Sequence, residues 1–239
     1  MVKPNQKSKS SKKSQVEKMF DSISFEYDLL NGIMTFNSHK RWKKNILNIA
    51  KKLKPKNALD IATGTADIAI NLGSISDCKV VGVDISEQML NVGRKKITKM
   101  KLDESITLET GDAENLNFKD NYFDLVTIGF GVRNFQDLEK GLKESLRVLN
   151  IEGTLIILET SVPENRIIKF LYSIFTRTYI PIIARIFSKD KSAYNYLLNS
   201  AELFPSVTKF SDILKSVGFA DVLIKPKLFG SSTIYIATK

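Results

Sequence analysis

Gly64 and Asp84, twenty residues apart, have the types and spacing to grip a nucleotide. The run Asn57-Ala58-Leu59-Asp60-Ile61-Ala62-Thr63-Gly64-Thr65-Ala66-Asp67 reads as a buried strand, a tight turn that glycine permits, and the start of a helix. Val80-Val81-Gly82-Val83-Asp84 then reads as a second strand ending in a carboxylate, at the distance expected for an acid that holds a ribose diol. A glycine turn alone is an ordinary strand-to-helix loop. The acid at the next strand end turns it into a site.

What the turn lacks narrows the nucleotide. A dinucleotide fingerprint, G-x-G-x-x-G, seats a pyrophosphate on a helix N-terminus. Here the small residues are Ala62, Gly64 and Ala66, with Asp60 on the strand before them. An acid in that place repels a pyrophosphate and suits the positive amino-acid end of S-adenosylmethionine, so the pattern favours a methyl donor. Two further strand ends carry unusual residues: Gly111-Asp112-Ala113-Glu114 and Gly129-Phe130-Gly131-Val132-Arg133-Asn134. Asp112 can accept the adenine amino proton while Ala113 donates its backbone N–H to the ring; as a bare motif, Gly111-Asp112 is equally a simple turn.

These residues need a parallel sheet to bring them to one edge. Strands are predicted at 58–61, 79–83, 106–110, 123–129 and 154–159, alternating with helices near 66–73, 86–100 and 136–149. Ser86 is the expected N-cap of the second helix, with Glu87 in its first turn. A helix over 207–217 ends at Gly218, and two β-rich runs, 221–228 and 232–238, are joined by Gly230-Ser231 as a hairpin. The expected fold is α/β, of the class I methyltransferase type: a Rossmann-like, mostly parallel sheet with a C-terminal antiparallel hairpin. Residues 15–50 read as N-terminal helices laid on its carboxyl edge as a cap, and 162–200 as a helical lid insertion.

The 239 residues suffice for one such domain, taken as 15–239. A single cysteine, Cys78, and a single histidine exclude an internal disulfide and a Cys/His zinc cluster, and fit a reducing, cytoplasmic setting. The net charge of +10 is uneven: Lys3, Lys7, Lys9, Lys12 and Lys13 fall in the first fourteen residues, which carry no acid. With no apolar core to that stretch, a secretory signal is excluded and a basic disordered tail over 1–14 is expected, either a solvated tail or a contact for an anionic membrane. The apolar run from Ile167 to Phe187 is interrupted by Lys169, Arg177, Arg185 and Pro181, so it does not span a membrane. Two amphipathic helices broken at Pro181, packed on the sheet or closing over a pocket, are expected instead.

From about Val16 to Lys239 the chain resembles the quinone-biosynthesis C-methyltransferases, the demethylmenaquinone and ubiquinone C-methylases. The resemblance is carried by Tyr27-Asp28-Leu29-Leu30-Asn31 with Thr35, His39 and Trp42, by Gly111 to Leu116, by Phe130 to Asn134, by Arg147 through Gly153 to Ser161, and by Tyr194-Asn195-Tyr196-Leu197 with Phe204-Pro205. It implies donor contacts at Thr65, Asp84, Asp112 and Ala113 beside Gly64, and it places Arg133 and Asn134 next to the reacting methyl. The implied substrate is a prenylated quinol, a demethylmenaquinol or a ubiquinone precursor, and Ala66 favours the naphthoquinol. Asn150-Ile151-Glu152 departs from the family's basic-Pro-Gly turn, and Tyr235 stands where relatives often have a histidine.

Methylating a ring carbon requires a phenol to lose its proton and push electron density into the ring. Arg133 either stabilises that phenolate or pairs with a helix acid such as Asp137. His39 is expected to be structural, capping its helix or packing on Trp42; Tyr27, Asp28 and Asn31 either close over the substrate or simply pack. The charge of +10 raises an RNA methyltransferase as the rival, along with a noncatalytic donor-binding module. Against RNA, Cys78 precedes the second strand at the wrong sheet end for a nucleophile, and no Asn-Pro-Pro-aromatic motif follows the fourth strand. No nucleic-acid partner is therefore expected, while peripheral contact with an anionic membrane and a homodimer both remain open.

Overall fold

A computed structural model describes residues 2–187 and 190–239. Its centre is a seven-stranded sheet ordered β3-β2-β1-β4-β5-β7-β6, built from β1 (Asn57–Ile61), β2 (Lys79–Asp84), β3 (Ile106–Thr110), β4 (Phe123–Gly129), β5 (Leu149–Thr160), β6 (Val222–Lys227) and β7 (Ser232–Thr238). The first five are parallel; β7 runs antiparallel to β5, and β6 antiparallel to β7. The chain order reverses between β1 and β4, so the crevice of the sheet opens beyond their carboxyl ends. Ala58 on one face of β1 is fully buried, and so are Leu59 and Ile61 on the other, as a central parallel strand covered on both faces requires. Leu59 and Ile61 each contribute about 1.5–3 kcal/mol relative to exposure.

One face is covered by α3 (Ser38–Leu53), α4 (Asp67–Leu72) and α5 (Glu87–Met100), and the other by α6 (Leu138–Val148) and α10 (Val207–Val217). A third cluster joins α1 (Lys12–Ile23), α2 (Tyr27–Met34) and α9 (Lys191–Glu202) through Val16, Met19, Leu30, Tyr194 and Tyr196, with Met89 of α5 beneath them. These helices form a cap over the carboxyl edge.

Several boundaries differ from expectation, each for a local reason. α1 begins at Lys12, inside the stretch expected to be disordered, because Ser11 caps it by accepting from Ser14 N and because Lys12 is buried against the body of the protein. The helix expected from residue 66 starts at Asp67, since Ala66 is held at φ +65° to complete the turn. β5 starts at Leu149 rather than 154: its register against β4 shifts between Phe123 and Leu125, and the extra residues bulge through Glu152 at φ +63°. The hairpin turn uses Leu228, Phe229 and Gly230, all at positive φ, before Ser231.

The insertion is not broken at Pro181. α7 (Arg166–Ile174) passes through a π turn at Phe175–Tyr179 into α8 (Ile180–Phe187) without interruption, and Pro181 is the second residue after that π turn. Ser188 and Lys189 of the expected lid, and Met1 of the tail, lie outside the described residues. No described helix is long and apolar enough to cross a membrane.

Candidate active site

The glycine turn after β1 is anchored from below. Asp60 is buried, and its carboxylate accepts from Thr63 Oγ1 and Thr127 Oγ1, each at 2.6 Å. Burial pushes its pKa up to about 6, against those two hydroxyl bonds. Gly64 takes φ +57°, and a Cβ there would project into open space, so the turn leaves room for a ligand directly above its backbone. Gly131 faces it from the end of β4, where a Cβ would come within 2.6 Å of Ala62 Cβ; the two loops approach this closely because one of them lacks a side chain.

Asp84 ends β2 beside that turn. It accepts from Gly64 N at 2.8 Å and from Ser86 N at 2.9 Å, and Ser86 caps α5 as expected by accepting from Met89 N. Burial lifts the Asp84 pKa to about 6, while the backbone bonds to Ser86, Gly64 and Ile85 oppose the rise. Gly64, Asp84, Asp112, Ala113 and Asn134 line one narrow cleft together with Lys13, Val16 and Phe20 of α1. Asp112 forms an ion pair with Lys13 Nζ at 2.6 Å, a partner that composition did not suggest. Thr65 lies to the side, donating to Asp28 Oδ1 at 2.6 Å and accepting from Lys96 Nζ at 3.2 Å. Lys96 also binds Asp28 and Asp67, and Asp67 pairs with Lys43 at 2.8 Å, so charges from α2, α3, α4 and α5 brace the turn.

A larger cavity of about 750 Å³ opens from the same place. Tyr27, Ala62, Gly64, Gly129 and Phe130 line both spaces and mark where they meet. Tyr27, Asn31, Thr35, His39 and Lys43, at every fourth position through α2 and α3, form one wall. Ile168, Leu171, Phe175 and Ile180 of the insertion, with Phe36 and Phe229, form an apolar end. The ring of Tyr179 stacks on those of Phe36 and Phe175, with centroids 5.2 and 5.0 Å away.

Arg133 and Asn134 sit on the 3₁₀ turn that follows β4, and the structure divides them: Arg133 lines the large cavity and Asn134 the narrow cleft. Arg133 does not pair with Asp137, which caps α6 instead by accepting from Lys140 N. Its Nη1 donates to Phe130 O at 3.0 Å and to the fully buried carboxylate of Glu159, at the end of β5. Glu159 Oε1 also accepts from Thr160 N at 2.7 Å. Arg133 Nε, Asn134 Oδ1 and Glu159 Oε2 have no hydrogen-bond partner among the described residues. Sequence reasoning missed Glu159 and Lys12. Lys12 Nζ donates to Arg133 O at 2.8 Å and Phe135 O at 2.7 Å, holding the turn from beneath. No group of residues suited to a metal ion occurs among the described residues.

The sheet order, the glycine turn after β1 and the acid closing β2 together define a class I methyltransferase with S-adenosylmethionine as its donor. A SAM-dependent methyltransferase of Thermotoga maritima has this fold, with a TM-score of 0.63 at 21% identity over 93% of this chain and 99% of that one. Residues 6–239 match the ubiE/COQ5 methyltransferase family, and the chain belongs to that family. It is 40% identical over 229 residues to the demethylmenaquinone methyltransferase of Bacteroides fragilis, covering 95% of this chain and 94% of that one. To the ubiquinone/menaquinone biosynthesis C-methyltransferase UbiE of Geobacter sulfurreducens it is 38% identical over 230 residues, covering 95% and 90%.

Proposed function

We propose that this enzyme methylates a ring carbon of a prenylated quinol, converting a demethylmenaquinol to a menaquinol. The observation that carries the reading is the large cavity itself, which meets the donor cleft at Phe130 and Gly64 and continues into an apolar end, lined by Ile168, Leu171, Phe175 and Ile180, of the chemistry that suits a prenyl chain. The family relatives named for this reaction support it.

In this reading Gly64, Thr65, Asp84, Asp112 and Ala113 hold the donor, whose sulfonium supplies an activated methyl. Asp84 accepts from the ribose hydroxyls while keeping its own bonds to Gly64 N and Ser86 N. Asp60 lies near enough to the turn to favour a cationic amine. Arg133, pinned on one edge by Glu159 and Phe130 O, keeps its Nε edge for an oxygen that gains negative charge as the ring attacks. Asn134 fixes the donor side of the same turn. The largely apolar walls of the large cavity limit water around the ring, and alignment of two bound reactants supplies much of the rate.

The test is transfer of labelled methyl to two reduced short-chain acceptors, a demethylmenaquinol and a demethyl ubiquinol precursor. Methylation of the naphthoquinol is the expected result. Transfer to neither acceptor, with donor binding intact, overturns the quinol assignment. A lipid-soluble substrate also fits peripheral attachment to an anionic membrane through the insertion, where α7 turns Ile167, Phe170, Leu171 and Ile174 outward.

A further inference from the structure

Carbon methylation leaves a proton to be taken, and neither Arg133 nor Asn134 accepts one at neutral pH. The cavity wall contains a group that does. His39 is only 5% exposed, lines the large cavity, and sits one turn from Trp42, whose ring lies 6.1 Å from that of Phe130 at the junction with the donor cleft.

Its protonation pattern follows from counting hydrogens. Thr35 Oγ1 lies 2.6 Å from His39 Nδ1 and 2.7 Å from Asn31 O. A hydroxyl has one proton, and a carbonyl can only accept, so that proton goes to Asn31 O. Were Nδ1 bare, Thr35 would have to turn its proton to the ring and set two oxygens lone pair to lone pair. Nδ1 therefore carries the hydrogen and Thr35 accepts it. The lone pair is left on Nε2, which no other group among the described residues hydrogen-bonds. The charges around the ring are mixed: Lys40 and Lys43 on its own helix oppose a positive ring, while Asp28 of α2 and Asp67 of α4 favour one. Burial first, then Lys43, hold its pKa down to about 4.

We propose that His39 is the catalytic base of the methyl transfer, its Nε2 accepting the hydroxyl proton of the acceptor ring. The assignment rests on the quinol reading above. As the ring carbon bonds to the methyl and the methyl–sulfur bond breaks, the O–H electrons move into the ring and the proton passes to Nε2. The ring is then a methylated dienone. Loss of the C–H proton from the methylated carbon to water restores aromaticity, and His39 returns its proton to the oxygen. The net products are the methylated quinol, the neutral thioether and one proton. A weak base suffices, because a hydroxyl on a ring that is gaining a methyl cation becomes a strong acid during the step.

The experiment compares wild type, His39→Ala and His39→Gln with saturating reduced demethylmenaquinol, measuring kcat, KM, donor affinity by calorimetry and rescue by added imidazole. The expected result is a fall in kcat of about 10²–10⁴-fold in both variants with donor affinity unchanged. Imidazole should restore His39→Ala in proportion to its free-base concentration. Glutamine fills the space and accepts a hydrogen bond but takes no proton, so it carries the test should the alanine variant not fold. Retained kcat in His39→Gln overturns the proposal, as does a folded, donor-binding His39→Ala enzyme that imidazole leaves inactive. Wild-type turnover of the quinol reports separately on the quinol reading.

Discussion

At the scale of single residues, the site depends on carboxylates kept ionised where burial opposes ionisation. In the donor site proposed above, Asp84 would have to be charged to accept two hydroxyls, yet burial raises its pKa to about 6. Donor affinity, measured by calorimetry, should therefore fall between about pH 7 and 5 as Asp84 gains its proton, and Asp84→Asn should bind weakly with that step removed. A pH-independent wild-type affinity would contradict this role. Stability of the free protein moves by the same linkage: the folded state holds this proton longer than an unfolded aspartate with pKa about 3.9, so stability falls as pH rises from there to about 6. Asp60, shifted in the same direction by burial, adds to that slope. The Arg133–Glu159 pair obeys a different rule. Glu159→Ala leaves a buried guanidinium without its counter-charge and should cost about 3–5 kcal/mol in urea unfolding. Replacing both by apolar residues should recover much of that stability and none of the activity, if the pair exists to orient Arg133 rather than to hold the fold.

At the scale of elements, what was legible in the sequence was local. The β1 turn and the Asp84 strand end lie within one βαβ unit, so spacing alone located both, and the Ser86 cap followed from its own helix. The Glu159 partner of Arg133 was not legible, because only the β4–β5 pairing brings residues 26 apart in the chain to one edge. Lys12 was missed for the opposite reason. A Lys/Ser-rich stretch is disordered on average, but this one lysine buries its stem and finds two carbonyls more than a hundred residues away. Lys13 on Asp112 then makes the first turn of α1 a wall of the narrow cleft proposed for the donor. Lys12→Met should leave Arg133 O and Phe135 O short of a donor and cost about 1–3 kcal/mol. Lys7→Ala with Lys9→Ala, at exposed positions before α1, should change stability by less than about 0.5 kcal/mol. Urea titration of both proteins measures the difference, and equal stabilities would show that the buried contact does not fasten α1.

At the scale of the whole molecule, one surface does not behave like a surface. On α7 the residues at helical spacing that would ordinarily face a core, Ile167, Phe170, Leu171 and Ile174, are exposed, Phe170 by 63%; Ile182 and Ile186 continue the patch on α8, and Phe229 stands near it. Such a patch marks an interaction face. From residue 165 to 187 the chain has no acid, and Arg166, Lys169 and Arg185 of the same two helices are exposed, the composition expected of a surface that meets anionic headgroups. The large cavity reaches this face through Ile168, Leu171 and Phe175, so a substrate dissolved in lipid would pass from the bilayer into the site without crossing water. The enzyme should therefore float with phosphatidylglycerol vesicles more than with phosphatidylcholine vesicles, and high salt should release it. Phe170→Ser with Ile174→Ser removes apolar area that does not line the cavity, and should abolish flotation while leaving methyl transfer to a short-chain quinol unchanged. Should the protein ignore vesicles and instead form a concentration-dependent dimer that the same substitutions dissolve, the stripe is a subunit interface, and the substrate reaches the cavity by another route.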